Sequence, residues 1–416
     1  MQYGLLGRKL GHSFSKEIHN FLGDYDYKMI EKEPEEIESF MKEDFKAINV
    51  TIPYKETVIP YLYEISEDAK KIGSVNTIVR KNGRLYGYNT DFAGFLGMLQ
   101  KAEIDVKNKK VLILGTGGTS KTAYAVCKSE NAKEVFKVSR TKSEETVSYD
   151  EAYEKHGDAE IIINTTPLGM FPDNEKTAID IDKFEKLEGV VDVIYNPLET
   201  PILTKARKRN IKFTDGLYML VRQAVKASEL FFDKKYGEEV TDKVYNRILS
   251  QKRNIVLVGM PSCGKTTVGK ILANSTNRKL VDTDEEIIKQ IKTEISDFFE
   301  KFGEDEFRKI ESEVVKEVAK QSGIIISTGG GAILKEKNVD YLKQNGIVYF
   351  LDRPLEKLMP TSDRPTANSF EQIKKRYEER YQKYIDCANY VLKIDDNEKE
   401  VANEIERRHK DENCGN

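Results

Sequence analysis

Cysteine is scarce, and Cys127, Cys263, Cys387 and Cys414 stand far apart, with neither disulfide-framework nor metal-ligand spacing. A cysteine-stapled secreted scaffold is thereby excluded, and a reducing, cytoplasmic setting is expected. Long apolar runs are missing as well. Ile161-Ile162-Ile163 is strand-sized, far short of the roughly 20 residues that span a bilayer, so no membrane partner is expected. Neither sign of charge dominates, with a net charge of −3, so nothing directs the chain to nucleic acid or a membrane surface. Met1 to Gly7 enters a strand pattern without a basic leader, and no signal peptide is expected. Internal repeats are absent, and the nearest thing to low complexity is the charged tail after Asp395.

What is present is length for two or three domains in 416 residues. Residues 1–100 alternate short apolar runs with helical patterns. A second α/β block starts at Val111-Leu112-Ile113-Leu114 and runs to about 214, with strands expected at Val135–Val138, Ile161–Ile163 and Val190–Ile194. A helix over 217–232 follows, and the polar, lysine-rich stretch 234–252 reads as the end of that helical region plus a short connector. From 253 the alternation resumes, with buried strands expected at Ile255–Val258, Ile324–Ile326 and Ile347–Leu351.

Two glycine-rich turns sit where a strand hands over to a helix. Gly259-Met260-Pro261-Ser262-Cys263-Gly264-Lys265-Thr266, continued by Thr267, is a complete phosphate-binding loop. Its backbone N–H groups turn onto phosphate oxygens, Lys265 neutralises the β/γ-phosphates, and Thr266 can hold Mg²⁺. Alone, the loop leaves ATPase, GTPase and small-molecule kinase open. Cys263 within it reads as a small filler, with an alkylatable thiol as the alternative. The other turn, Gly115-Thr116-Gly117-Gly118-Thr119, suits a pyrophosphate at a helix N-terminus. About 25 residues on, where an acid would read the ribose of NAD, stand Ser139, Arg140, Thr141 and Lys142. Cations there favour the 2′-phosphate of NADP(H), the alternative being a solvated basic turn.

Residues 1–100 carry four polar clusters at strand ends or turns: Gly11-His12-Ser13-Phe14-Ser15, Asn49 to Lys55, Gly73 to Thr77, and Gly87 to Asp91. Singly they read as turns or caps. Together with Asn164-Thr165-Thr166-Pro167-Leu168-Gly169-Met170 and Asp215 to Ala224, residues 3–232 resemble shikimate dehydrogenase. The resemblance implies that Lys55 and Asp91 are the catalytic pair. It further implies that Ser13, Ser15, Thr51, Asn76, Tyr195 and Gln223 hold 3-dehydroshikimate or shikimate, and that Gly216 and Met219 lie near the nicotinamide. A ketone reduced by hydride needs a proton donor at its oxygen, which a lysine paired with a carboxylate supplies. Lys16 stands where the family usually has proline, and Ser139 where it usually has asparagine.

Beyond the phosphate loop, Val281-Asp282-Thr283-Asp284 offers carboxylates to Mg²⁺ and to a substrate hydroxyl. Phe307-Arg308-Lys309-Ile310-Glu311 and Ser327-Thr328-Gly329-Gly330-Gly331-Ala332 offer an arginine and backbone N–H groups to an anion. Residues 253–396 resemble shikimate kinase. The resemblance implies that Asp284, Arg308, Gly330 and Arg380 bind shikimate, and that Lys265 and Arg364 support the transferring phosphoryl of ATP, with Thr266 and Asp282 at the metal. Leu358-Met359-Pro360-Thr361 lacks the arginine the family stacks on adenine, with Lys357 an imperfect substitute.

The expected architecture is therefore α/β throughout. A substrate domain over 1–100, completed by a helix over 215–233, is followed by a Rossmann-like NADP domain over 101–214, a connector over 234–252 and a P-loop kinase domain over 253–416. The expected function is reduction of 3-dehydroshikimate followed by phosphorylation of shikimate. A quinate/shikimate dehydrogenase joined to a nucleotide-sensing module is the alternative. Monomer and homodimer are both left open.

Overall fold

Val, Ile and Leu runs bounded by Gly, Asn and Asp build three sheets, and their alternation decides which face each side chain meets. The computed structural model describes residues 2–11, 14–141, 143–358, 369–395 and 397–414, with side chains as far as 411. The chain divides into two compact units at Tyr245/Asn246. No helix among the described residues is long and apolar enough to cross a membrane.

In the first unit, β1 (Tyr3–Gly7), β2 (Tyr27–Glu31), β3 (Ala47–Val50), β4 (Glu64–Ile65), β5 (Thr77–Lys81) and β6 (Arg84–Tyr88) form one sheet in the order β2-β1-β3-β5-β6-β4. β1 is parallel to β2 and β3, whereas β5 and β6 form an antiparallel hairpin. The hairpin turns at Asn82-Gly83, both at positive φ, the chemistry a two-residue turn of that hand requires. One face buries Leu6, Ile48, Val50 and Ile78. The other buries Tyr3, Leu5, Ala47 and Val79, and is joined there by Ala227 and Phe231 from the helix Leu217–Phe232.

The second sheet comprises β7 (Lys110–Leu114), β8 (Glu134–Val138), β9 (Thr146–Val147), β10 (Ile161–Asn164), β11 (Gly189–Asp192) and β12 (Lys212–Thr214). All pairs are parallel in the order β12-β11-β10-β7-β8-β9, the doubly wound dinucleotide-binding arrangement, with its switch point beside β7. The helices Asp91–Lys101 and Leu217–Phe232 lie close together. A Cβ on Gly94 would come within 2.7 Å of the Met219 carbonyl oxygen, so glycine is what permits the approach.

The second unit has one parallel sheet, β14-β15-β13-β16-β17, made of β13 (Asn254–Val258), β14 (Leu280–Asp282), β15 (Ile325–Ser327), β16 (Gly346–Asp352) and β17 (Tyr390–Lys393). The phosphate loop leaves the C-terminal end of central β13, where the connections diverge and ligands collect.

Two stretches whose structure was not read in detail from the sequence prove helical. The stretch 234–252 is mostly ordered, holding the helix Glu238–Lys252. The charged tail after Asp395 folds as the helix Glu398–Cys414, which buries Val401, Ala402 and Ile405 in the core of its unit. Its charges pair along the exposed side, as in Lys410–Glu406 and Arg407–Asp411.

Candidate active sites

Asp91 opens the helix Asp91–Lys101, where the helix dipole favours a carboxylate. Lys55 Nζ donates to its Oδ2 at 2.6 Å and Asn76 Nδ2 to its Oδ1 at 2.9 Å. Asn76 is fixed in turn, its Oδ1 accepting from the Thr90 amide at 2.8 Å, while the Asp91 amide donates to Asn89 Oδ1. The buried network Thr77–Asn76–Thr90 thus aims the lysine–carboxylate pair into a cavity of about 380 Å³.

Ser15, Thr51, Lys55, Asn76, Asp91, Thr119, Tyr195, Gly216, Met219 and Gln223, all singled out from sequence, line that one cavity. Ser13 lies outside the described residues. Burial pushes the Tyr195 phenol upward, so it enters the cavity as a neutral hydroxyl. Asn49 also lines the cavity and was not assigned a role from sequence. Its Oδ1 accepts from Tyr27 and its Nδ2 donates to Thr77. Behind the cavity, Asp192 is fully buried at the end of β11, accepting from Thr200 Oγ1 at 2.6 Å, the Ile194 amide at 3.0 Å and Asn164 Nδ2 at 3.1 Å. Burial raises its carboxyl to about 7, and those three bonds oppose the rise.

The turn after β7 places Gly115 at φ 103° and starts a helix at Gly118. Gly117 and Gly118 face open space, which suits a pyrophosphate at the helix N-terminus. Thr116, Lys121, Lys137, Ser139, Arg140 and Thr141 surround a second cavity of about 460 Å³. Ser139 Oγ accepts from the Thr141 amide, which shapes the turn carrying Arg140. Lys121 and Lys137 were not singled out from sequence. They are engaged with Glu56 and Glu145, whereas Arg140 has no ion pair among the described residues. This set fits NADP(H): a glycine cradle for the pyrophosphate and a cation for a 2′-phosphate. Lys142 lies outside the described residues.

In the second unit the loop holds Ser262 at φ 63° and Gly264 at φ 100°, which turns successive N–H groups inward. Pro261 and Cys263 are buried, and the Cys263 sulfur packs beneath Gly259 as a space-filler. Lys265 reaches back to the carbonyls of Gly259 and Met260 at 3.0 and 2.9 Å. Thr266 is exposed and donates to Asp282 Oδ2 at 3.2 Å, and Thr267 is exposed beside it.

A cavity of about 150 Å³ adjoins the loop at Pro261 and is lined by Asp284, Arg308, Gly330 and Arg380, all singled out from sequence. Gly331 lets Arg308 lie flat, since a Cβ there would sit 2.2 Å from its Nη1. Arg380 Nη1 and Tyr384 OH both donate to the Gly330 carbonyl, at 3.1 and 2.5 Å. Glu311, fully buried and bound to Arg308 at 2.7 Å, has its carboxyl raised by burial against the pull of that arginine. Glu311 and Arg376 line the cavity but were assigned no role from sequence. The signal for both was helical spacing, three residues from Arg308 and four from Arg380. Arg364 and Met359 to Thr361 lie outside the described residues. Lys357 is paired with Asp395 at 3.4 Å.

Comparison with known proteins separates the same two regions. Residues 5–78 match the shikimate dehydrogenase substrate binding domain, and residues 261–410 match shikimate kinase. The shikimate dehydrogenase (NADP(+)) of Clostridium perfringens (strain SM101) is 38% identical over 265 residues, covering 59% of this chain and 97% of that protein. The corresponding protein of Clostridium beijerinckii is 40% identical over 262 residues, covering 59% and 96%. Among solved structures, a chorismate mutase/shikimate 5-dehydrogenase fusion protein from Clostridium acetobutylicum is similar at 37% identity and TM-score 0.56, covering 59% of this chain and 96% of that one. Shikimate 5-dehydrogenase from Thermus thermophilus, in complex with NADP(H) and shikimate, is similar at 28% identity and TM-score 0.53, covering 59% and 99%.

Proposed function

Because the chain belongs to the shikimate dehydrogenase family over 59% of its length and carries a shikimate kinase domain behind that region, we propose that it catalyses two consecutive steps. The first is NADPH-dependent reduction of 3-dehydroshikimate to shikimate. The second is ATP-dependent phosphorylation of shikimate to shikimate 3-phosphate. The observation that carries the reading is the presence, in one chain, of two regions whose reactions share shikimate.

In the first site NADPH, when bound, supplies the hydride. Lys55 protonates the oxygen formed at C3, and Asp91 holds the ammonium in place at 2.6 Å. Ser13, Ser15, Thr51, Asn76, Tyr195 and Gln223 bind the carboxylate and hydroxyls. Gly216 and Met219 border the nicotinamide, and Arg140 takes the 2′-phosphate. In the second site Asp284 orients the attacking hydroxyl, and Arg308, Gly330 and Arg380 bind shikimate. Lys265 and Arg364 stabilise charge on the transferring phosphoryl. Thr266 and Asp282 would hold Mg²⁺ together with nucleotide oxygens, since no group of three His, Cys, Asp or Glu side chains among the described residues is placed to hold it alone.

The test is a coupled assay on the whole chain that follows NADPH loss and shikimate 3-phosphate formation from 3-dehydroshikimate. Lys55→Ala should depress the first step about 10²–10⁴-fold while leaving ATP use on added shikimate intact. A near-normal dehydrogenase rate in that variant refutes the role of Lys55. Absence of both products from the parent chain refutes the function.

A further inference from the structure

The polar chain that holds the lysine–carboxylate pair does not begin at Thr77. Asn49 on β3 and Thr77 on β5 are register partners, so their side chains meet on one face of the sheet. Tyr27 on β2 is fully buried and reaches across β1, where its hydroxyl donates to Asn49 Oδ1 at 2.8 Å. Asn49 Nδ2 faces the Thr77 hydroxyl at 3.0 Å and the Asn76 carbonyl at 3.4 Å. A carbonyl only accepts, so the amide turns its N–H groups to Asn76 and its oxygen to Tyr27. Thr77 Oγ1, accepting from Asn49, gives its own hydrogen to Asn76 Oδ1 at 3.0 Å. Asn76 Nδ2 is then the group that meets Asp91 Oδ1 at 2.9 Å, and Asp91 holds Lys55. The Thr90 amide fixes Asn76 from one side, and the chain from Tyr27 fixes it from the other.

The Tyr27 ring is itself held. His19 stacks on it at 4.0 Å between centroids and 10° between planes, and meets Phe231 at 5.6 Å and 14°. Burial pushes the Tyr27 phenol well above its usual range, so the chain starts from a neutral donor. Buried hydrogen bonds in series polarise one another, and a buried acceptor that loses its donor costs more than the bond itself. Without the Tyr27 hydroxyl, Asn49 Oδ1 loses that donor, and nothing in the hydroxyl's place keeps the amide from turning and reversing the sense of the chain at Thr77. Resting on the dehydrogenase function proposed above, we propose that Tyr27, behind the cavity wall that Asn49 helps to form, is a positioning residue for that reaction. Through Asn49, Thr77 and Asn76 its hydroxyl holds the Asp91 carboxylate, and with it the Lys55 ammonium, in the orientation that delivers the proton.

The experiment uses the full chain with Tyr27→Phe, Thr77→Val and the two combined, each assayed for NADPH oxidation on 3-dehydroshikimate. Phenylalanine keeps the ring stacked on His19 and removes only the hydroxyl. Each single variant should lower kcat about 3- to 10-fold, the worth of one buried hydrogen bond. KM for NADPH and for 3-dehydroshikimate should stay within about twofold, because Tyr27 acts on the proton donor and touches neither ligand. Links of one chain are not additive, so the double variant should be about as slow as the slower single one. An unchanged kcat in Tyr27→Phe, a loss confined to KM, or losses that multiply in the double variant overturn the assignment. The unchanged KM for NADPH certifies that the first unit is folded in each variant, and unchanged shikimate-dependent ATP use certifies the second. A parent chain that oxidises no NADPH with 3-dehydroshikimate overturns the dehydrogenase function on which the assignment rests.

Discussion

Arg140 shares its cavity with Lys121 and Lys137, yet those two lysines are bound to glutamates, which among the described residues leaves Arg140 as the cation open to a 2′-phosphate. Arg140→Asp should therefore lower kcat/KM for NADPH about 10- to 100-fold and raise that for NADH, because aspartate repels phosphate and accepts from ribose hydroxyls. Unchanged discrimination between the two nucleotides, measured as a ratio of kcat/KM, would move the phosphate contact elsewhere. Asp192 makes a different prediction. With its folded carboxyl near 7 and an ordinary unfolded value near 4, folding takes up a proton there. Its contribution to stability is thus greatest at low pH and declines as pH rises from about 4 to 7. Asp192→Asn keeps an acceptor for Ile194 and Asn164 and reverses the bond to Thr200, while removing the titration. The urea midpoint for loss of dehydrogenase activity should fall less between pH 5 and pH 8 in the variant than in the parent. Equal slopes would place the carboxyl in its ordinary range.

Among elements, the pair of helices Asp91–Lys101 and Leu217–Phe232 brings Asp91, Met219 and Gln223 to one cavity, and Gly94 sets their spacing. Gly94→Ala should destabilise the first unit by about 1–3 kcal/mol through overpacking. NADPH oxidation should suffer and shikimate-dependent ATP use should not; equal effects on both rates would contradict the packing argument. The elements also show what a sequence can disclose. The phosphate loop and the turn after β7 were legible because glycine at a turn reports a backbone conformation locally; the Asn82-Gly83 hairpin carries the same kind of signal but was not read from the sequence. The helix Glu398–Cys414 was not. Three buried apolar residues in a charge-rich stretch give little pattern, and that helix is held by the helix Lys265–Thr276, far away in sequence. β4 and β9, two residues each, exist only as partners of longer strands. Within the sites the motif residues were legible. Lys121, Arg376 and the engagement of Arg308 by Glu304 were not, because the meaning of a charge depends on which neighbour folding brings to it.

At the scale of the whole chain, the helix Glu238–Lys252 decides where the two activities can be parted. Asp242 accepts from Tyr218 in the first unit. In the second, Arg278 bonds the Ser250 and Arg253 carbonyls, and the Gly323 amide donates to Lys252. A kinase piece beginning at Arg253 loses the Ser250 and Lys252 contacts, whereas one beginning at Glu238 keeps them and takes Asp242 from its bond with Tyr218 in the first unit, so we expect the longer kinase piece to be the more stable of the two. Thermal unfolding of the two kinase pieces checks this: one starting at 253 should melt lower than one starting at 238, and equal melting would show those contacts to be dispensable. The return of the helix Leu217–Phe232 to the first sheet has a consequence in time. β6 ends at Tyr88, so about 140 residues, the entire second sheet among them, must be made before Ala227 and Phe231 exist to cover that face. At roughly 5–20 residues per second, the first sheet waits on the order of ten seconds with Tyr3, Leu5 and Val79 bare. The growing chain is therefore most exposed to aggregation, and most in need of a chaperone, before the first catalytic cavity has closed.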